Sequence, residues 1–131
     1  MADNLTDTAE DLMLAWLFGV GTPTRPTTPL SVRLLSAMGS DTTAGTQVAN
    51  AGGSTYAAQS VTFAANGSGA IHNTGALTFT NMPAITVVGL EIWDSAGTPV
   101  RLAYGTLTAI KTTNLGDTFT IAINDLDFTL A

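Results

Sequence analysis

A single histidine, ten carboxylates and no cysteine are the groups in this 131-residue chain best suited to acid–base, nucleophilic or metal chemistry. Their spacing favours none of these. His72 lies in a short predicted strand between turns, with no second imidazole and no thiolate to complete a metal site. Serine and aspartate are available for a Ser-His-Asp arrangement, but no G-x-S-x-G elbow presents a nucleophile at a strained turn. His72 therefore reads as a surface or interface residue. Asp125 and Asp127 share a strand face if Leu126 and Phe128 point inward. Two acids without further ligands make a poor cation site, so a solvated face is the simpler reading. Gly45, Gly52, Gly53, Gly67 and Gly69 lack the strand–GxxxxGK–helix setting of a phosphate loop and read as turn residues. Asn4-Leu5-Thr6 and Asn66-Gly67-Ser68 match the glycosylation pattern, but no secretory signal accompanies them. The expectation is a non-enzyme with no catalytic residue, metal or cofactor.

The composition points to the elements that carry these residues. Only 11% of the chain is charged and 45% is hydrophobic, and threonine is its most frequent residue. A globular domain averages about 25% charged. Threonine is β-branched and suits a pleated, half-buried strand, whereas the Glu, Lys and Arg of exposed helix faces are scarce. A mainly β domain is expected, with much of its surface covered by neighbours; a monomer with a Thr/Ser/Asn-rich skin is the alternative. The net charge is −6, and the four cations (Arg25, Arg33, Arg101, Lys111) are scattered. Nucleic acid would require them clustered, so none is expected as a partner. The apolar run from Leu12 to Phe18 is too short for a membrane span, so no membrane is expected either.

Residues 1–131 read as one β domain: an N-terminal helix (1–19), a Pro-rich connector (20–29) and a β core (30–131). The spacing predicts the helix over Asn4–Phe18, with Thr6 or Asp7 as N-cap and Gly19 as the residue that ends it. Its last two turns are apolar nearly all round, which predicts burial on several sides, against its own sheet or a neighbouring subunit. Thr22–Pro29 holds three prolines and favours an extended link. Strands are predicted at Leu30–Leu34, Tyr56–Ala64, Ala70–His72, Leu77–Thr80, Ile85–Trp93, Val100–Tyr104, Leu107–Thr112, Thr118–Ile123 and Leu126–Leu130. Asn66-Gly67 is the strongest hairpin signal. The polar stretch Gly39–Ser54 exceeds the usual connection length and is expected to be mobile or ordered by a partner. The pattern suggests an antiparallel β-sandwich or closed sheet with one N-terminal α-helix.

The segments Ala2-Asp3-Asn4-Leu5-Thr6, Leu14-Ala15-Trp16-Leu17-Phe18-Gly19, Tyr56-Ala57-Ala58-Gln59-Ser60-Val61-Thr62-Phe63, Trp93-Asp94-Ser95-Ala96-Gly97 and Gly116-Asp117-Thr118-Phe119 occur in this order. Together they resemble a family of small tailed-phage virion proteins of the actinobacteriophage type, whose members are variously labelled head decoration, minor tail or tail-fibre-like proteins. The resemblance implies a structural role in the virion and no catalytic residues. A receptor-binding fibre needs a repeat or coiled-coil shaft, and no such pattern is present. The main expectation is therefore a decoration protein cementing the capsid exterior, contacting the major capsid protein and copies of itself, as a trimer, after a period in the host cytoplasm. A small tail-associated or fibre-like protein is the second reading. It includes a host-glycan-binding module with Tyr56, Tyr104 or Trp93 as stacking rings. Trp16, Phe18, Arg25, Pro26, Thr46, Gln47 and Tyr56 are the candidate contact residues.

Overall fold

The computed structural model describes residues 2–130, leaving aside the side chains of residues 2, 3 and 66. The chain forms β1 (Ala2–Leu5), α1 (Asp7–Leu17), β2 (Leu30–Ala37), β3 (Thr46–Gln47), β4 (Gln59–Val61), β5 (Phe63–Gly67), β6 (Ala70–Asn73), β7 (Leu77–Phe79), β8 (Ile85–Trp93), β9 (Arg101–Thr113), β10 (Phe119–Ile121) and β11 (Asp127–Thr129). The expected mainly β, antiparallel architecture with one helix is the one found. A six-stranded sheet has the order β1-β9-β8-β2-β3, with β4 also paired to β2. A two-stranded sheet (β10-β7) and a three-stranded sheet (β11-β6-β5) complete the β-sandwich.

The core follows from strand alternation. Val32 and Leu34 on β2 lie opposite Ile92 and Leu90 on β8, and Ile92 lies opposite Ala103 on β9. Directly opposed residues share a face, so these side chains form one apolar layer. Leu77, Phe79, Phe119 and Ile121 of the two-stranded sheet close over it, with Tyr56, Met82 and Leu126. Phe79 is fully buried, stacked on Tyr56 and edge-on to Phe119. Phe63 and Phe128, in edge contact, join the three-stranded sheet to this core.

Several boundaries differ from expectation for physical reasons. Residues 2–5 are a strand, not the start of the helix: they pair antiparallel with Ala103–Thr106. The two strands predicted at 100–104 and 107–112 are a single strand, β9, interrupted by a large bulge. Its register jumps from Gly89↔Thr106 to Val87↔Lys111, so Leu107–Ile110 arch out of the ladder. Gly89 sits at this jump, where a Cβ would lie 2.5 Å from the Gly105 carbonyl oxygen and collide with Met38. The hairpin after β5 turns two residues later than the Asn66-Gly67 signal. Gly67 pairs with Ala70, and the intervening Ser68 and Gly69 both have positive φ (55° and 74°), as a type I′ turn requires.

Candidate functional site

The helix is held at its beginning and free at its end. Thr6 caps it: its Oγ1 accepts a hydrogen bond from the Ala9 N–H at 3.2 Å and donates to the Arg101 carbonyl at 2.8 Å. The Thr6 N–H also donates to the Leu102 carbonyl at 3.0 Å. Three hydrogen bonds thus fix the cap and dock the first turn on β9. Ala9 is the one helical residue that is buried. At the other end Gly19, at φ 67°, lets the Val20 N–H reach the Ala15 carbonyl at 2.8 Å, the long bond of a Schellman motif.

Between these ends the helix turns its apolar residues outward. Trp16 is 75% exposed and Phe18 72%, and Leu14, Leu17, Val20 and, to a lesser degree, Met13 are exposed beside them. Burial on several sides, expected from the apolar last two turns, is not found within this chain. The hydrogen bonds that dock the helix on β9 are made at Thr6, and beyond them Leu14, Trp16, Leu17 and Phe18 stay exposed.

Aromatic side chains carry roughly 150–250 Å² each and aliphatic ones about 60–120 Å², so at these exposures the end of the helix leaves on the order of 350–650 Å² of apolar surface in solvent. Typical monomers expose no contiguous patch larger than about 300–600 Å².

Two clefts flank the patch. One of 540 Å³ separates α1 from the Pro-rich connector and is lined by Ala9, Leu12, Met13, Trp16, Pro23, Arg25, Pro26 and Leu102. The other, 490 Å³, opens between β1, β9 and the three-stranded sheet, lined mainly by Leu5, Leu30, Phe63, Ile71 and Phe128, and it shares Met13 and Leu102 with the first. The connector holds its side of the first cleft through Thr27. Its N–H donates to Asp94 Oδ2, and its carbonyl accepts from the Ser95 N–H. Burial works against the charge on Asp94, but N–H donors from Val100, Thr27 and Ala96 outweigh it and hold the carboxyl below the ordinary aspartate range.

The contact residues expected from sequence therefore separate into two groups. Trp16, Arg25 and Pro26 line one cleft, and Phe18 lies one turn beyond Leu14, on the side of the helix away from Trp16. Thr46 and Gln47 form β3 on the opposite edge of the large sheet, both exposed. Tyr56 is corrected from a surface to a core residue. Its ring packs on Phe79, its hydroxyl accepts from the Leu34 N–H at 2.8 Å and from Gln47 Nε2, and burial pushes its pKa up.

The three rings considered for glycan stacking are likewise engaged. Besides Tyr56, Tyr104 is buried and donates to Asp41, a bond that together with burial raises its pKa. Half-buried Trp93 has the Arg33 guanidinium 4.2 Å from its ring centroid and donates through Nε1 to Glu91.

Sequence reasoning missed a buried ion pair. Glu91 and Arg101 are 2% and 8% exposed and meet at 3.1 Å. Glu91 also accepts from Trp93 and from the Gly45 N–H at 2.7 Å, while Arg101 donates to the carbonyls of Ser40 and Asp41. Residues 39–45 are thus pinned by their own chain, not left mobile or waiting for a partner. The available signal was a carboxylate, Glu91, inside the most apolar strand.

His72 on β6 pairs with Asp127 on β11 and is half-buried, while Asp125 and Asp127 are exposed. Among the described residues no three His, Cys, Asp or Glu side chains converge as metal ligands.

Residues 4–129 match the family model described as podophage GP4 fiber I protein gp80. No curated protein matches the chain.

Proposed function

Because the chain belongs to the podophage GP4 fiber I protein gp80 family, and so to a family of bacteriophage virion structural proteins, we propose that it is a non-enzymatic component of the tail-fibre apparatus. In this reading it works by docking the exposed end of α1 onto neighbouring virion protein. The observation that carries the mode of action is the apolar surface of Leu14, Trp16, Leu17, Phe18 and Val20, left in solvent beyond the hydrogen-bonded start of the helix. Burying such a patch against a partner supplies the hydrophobic core of a specific interface.

The family match backs the tail reading over capsid cement, the main expectation from sequence. The fold is compatible with a small adaptor: a β-sandwich presenting one helix end as its contact element. The engaged rings of Tyr56, Tyr104 and Trp93 leave the glycan-binding alternative without its stacking platform.

Two measurements on infectious particles test the proposal. Labelled antibody, or density in a particle reconstruction, is expected to place the protein at the tail; a position on the head shell overturns the fibre assignment. Complementation with a Leu17→Asp variant is expected to yield particles lacking the protein. Normal incorporation of that variant overturns docking through α1.

A further inference from the structure

We propose that the open edge of β1 takes up an extended segment of another protein, added to the large sheet as one more strand, in which apolar residues alternate with Lys or Arg. This edge is a separate surface from the exposed end of α1. Among the described residues β1 is an outermost strand of the six-stranded sheet. The Thr6 N–H donates to the Leu102 carbonyl at 3.0 Å, so position 6 and, by the two-residue repeat, Asn4 turn their backbone groups toward β9. The N–H and C=O of Leu5 therefore point away from the sheet, where a further strand would bond them.

The 490 Å³ cleft runs along this edge. Asn4 and Leu5 are neighbours in one strand and point to opposite faces, yet both line it. Leu5 is on the core face, opposite Ala103, and Phe63, Ile71 and Phe128 of the three-stranded sheet face it across the cleft. Ile71 and Leu130 there are 39% and 56% exposed, so the apolar lining is only partly covered. The polar lining is Asn4, opposite Tyr104, together with Asp41, which accepts from the Tyr104 hydroxyl, and Glu10. Both carboxylates are exposed, and no Lys, Arg or His lines the cleft. An added strand sends alternate side chains to the two faces, so apolar ones fall on Leu5, Phe63 and Phe128 and those between fall near the two acids. Charge complementarity makes the latter cationic. A second copy fits this edge poorly. Its own β1, Ala2-Asp3-Asn4-Leu5, brings no cation, and its Arg33, Arg101 and Lys111 already sit in paired strands. Its Arg25 precedes Pro26, which has no N–H to give a ladder.

The probe is a short capped peptide alternating lysine and valine, titrated into the purified full chain and followed by residue-resolved amide exchange. It is expected to bind at about 10–100 μM and to slow exchange of the Leu5 N–H about tenfold or more. The same peptide methylated at every backbone nitrogen, with glutamate in place of lysine, or with its lysines and valines in two blocks, should bind about tenfold more weakly in each case. So should the unaltered peptide to a Glu10→Gln, Asp41→Asn chain of unchanged melting temperature. Equal binding of the methylated peptide overturns strand addition. Equal binding of the glutamate or block-ordered peptide, no binding of the probe, or binding that leaves Leu5 exchange unchanged overturns the proposal as a whole. Self-association that protects Leu5 without peptide gives the edge to a second copy and overturns it too.

Discussion

Among the described residues the buried polar side chains act as fasteners, and none of their buried nitrogen or oxygen atoms lacks a hydrogen-bond partner. Asn73, with no exposed surface, donates from Nδ2 to the carbonyls of Gly75 and Ala122 and accepts from the Leu126 N–H at 3.0 Å, tying the C-terminal segment to β6. Arg101 does the same for residues 40–41. Removing one partner of a buried pair leaves the other charge uncompensated, at a cost of about 3–5 kcal/mol. Arg101→Ala is expected to lower the stability measured by urea unfolding by that amount and to speed amide exchange at Gly45.

Asp94 gives a pH signature. Its folded pKa lies below the unfolded value, so its contribution is present above about pH 4 and is lost as pH falls through the folded pKa. Urea midpoints at neutral pH and near pH 3 should show Asp94→Asn destabilised at neutral pH but losing less on acidification than the unaltered protein.

Elements show where local preference and tertiary pairing divide the work. Helix α1 begins at Thr6 because that side chain caps it, and ends because Gly19 takes a left-handed conformation; both are local facts. Residues 2–5 became a strand because β9 offered an unpaired edge, which no local pattern could announce. Thr6→Ala removes the cap and the bond to the Arg101 carbonyl together, so its cost should reach about 2 kcal/mol, the upper end for an N-cap. A thermal melt measures it, with proteolytic release of the N-terminal segment as the structural readout. Serine in place of Thr6 should retain most of the stability, since it keeps the hydroxyl.

For the whole molecule, the large residues divide into those that hold the fold and those that face outward. Phe79, Leu34 and Leu90 are buried between the six-stranded and the two-stranded sheets, whereas Trp16, Leu17 and Phe18 contribute little to the fold of a single chain. Phe79→Ala is expected to cost about 3–5 kcal/mol in urea unfolding. Leu17→Asp should fall within about 0.5 kcal/mol of the unaltered chain under dissociating conditions. Equal costs would mean that α1 packs against its own sheet, contrary to the exposure seen here.

Composition and alternation were enough to determine that this is an antiparallel β protein with one capped helix, and that Ile85–Trp93 is its most apolar strand, because β-branching, capping chemistry and period-two patterning act over a few residues. The match of residues 4–129 to a phage fibre family is also a property of the sequence. Three things only the tertiary structure decided. Tyr56 went inward because its ring stacks on Phe79 and its hydroxyl accepts from the Leu34 N–H, partners far from it in local pattern. The 39–45 loop became ordered because Glu91 and Arg101, ten residues apart in sequence, meet across adjacent strands beneath it. Trp16, Leu17 and Phe18, whose spacing predicts burial, face solvent because the bonds that dock the helix on β9 are made at its cap, Thr6. Local pattern records how apolar a helix is; which surface covers it depends on how the fold docks that helix on its sheet.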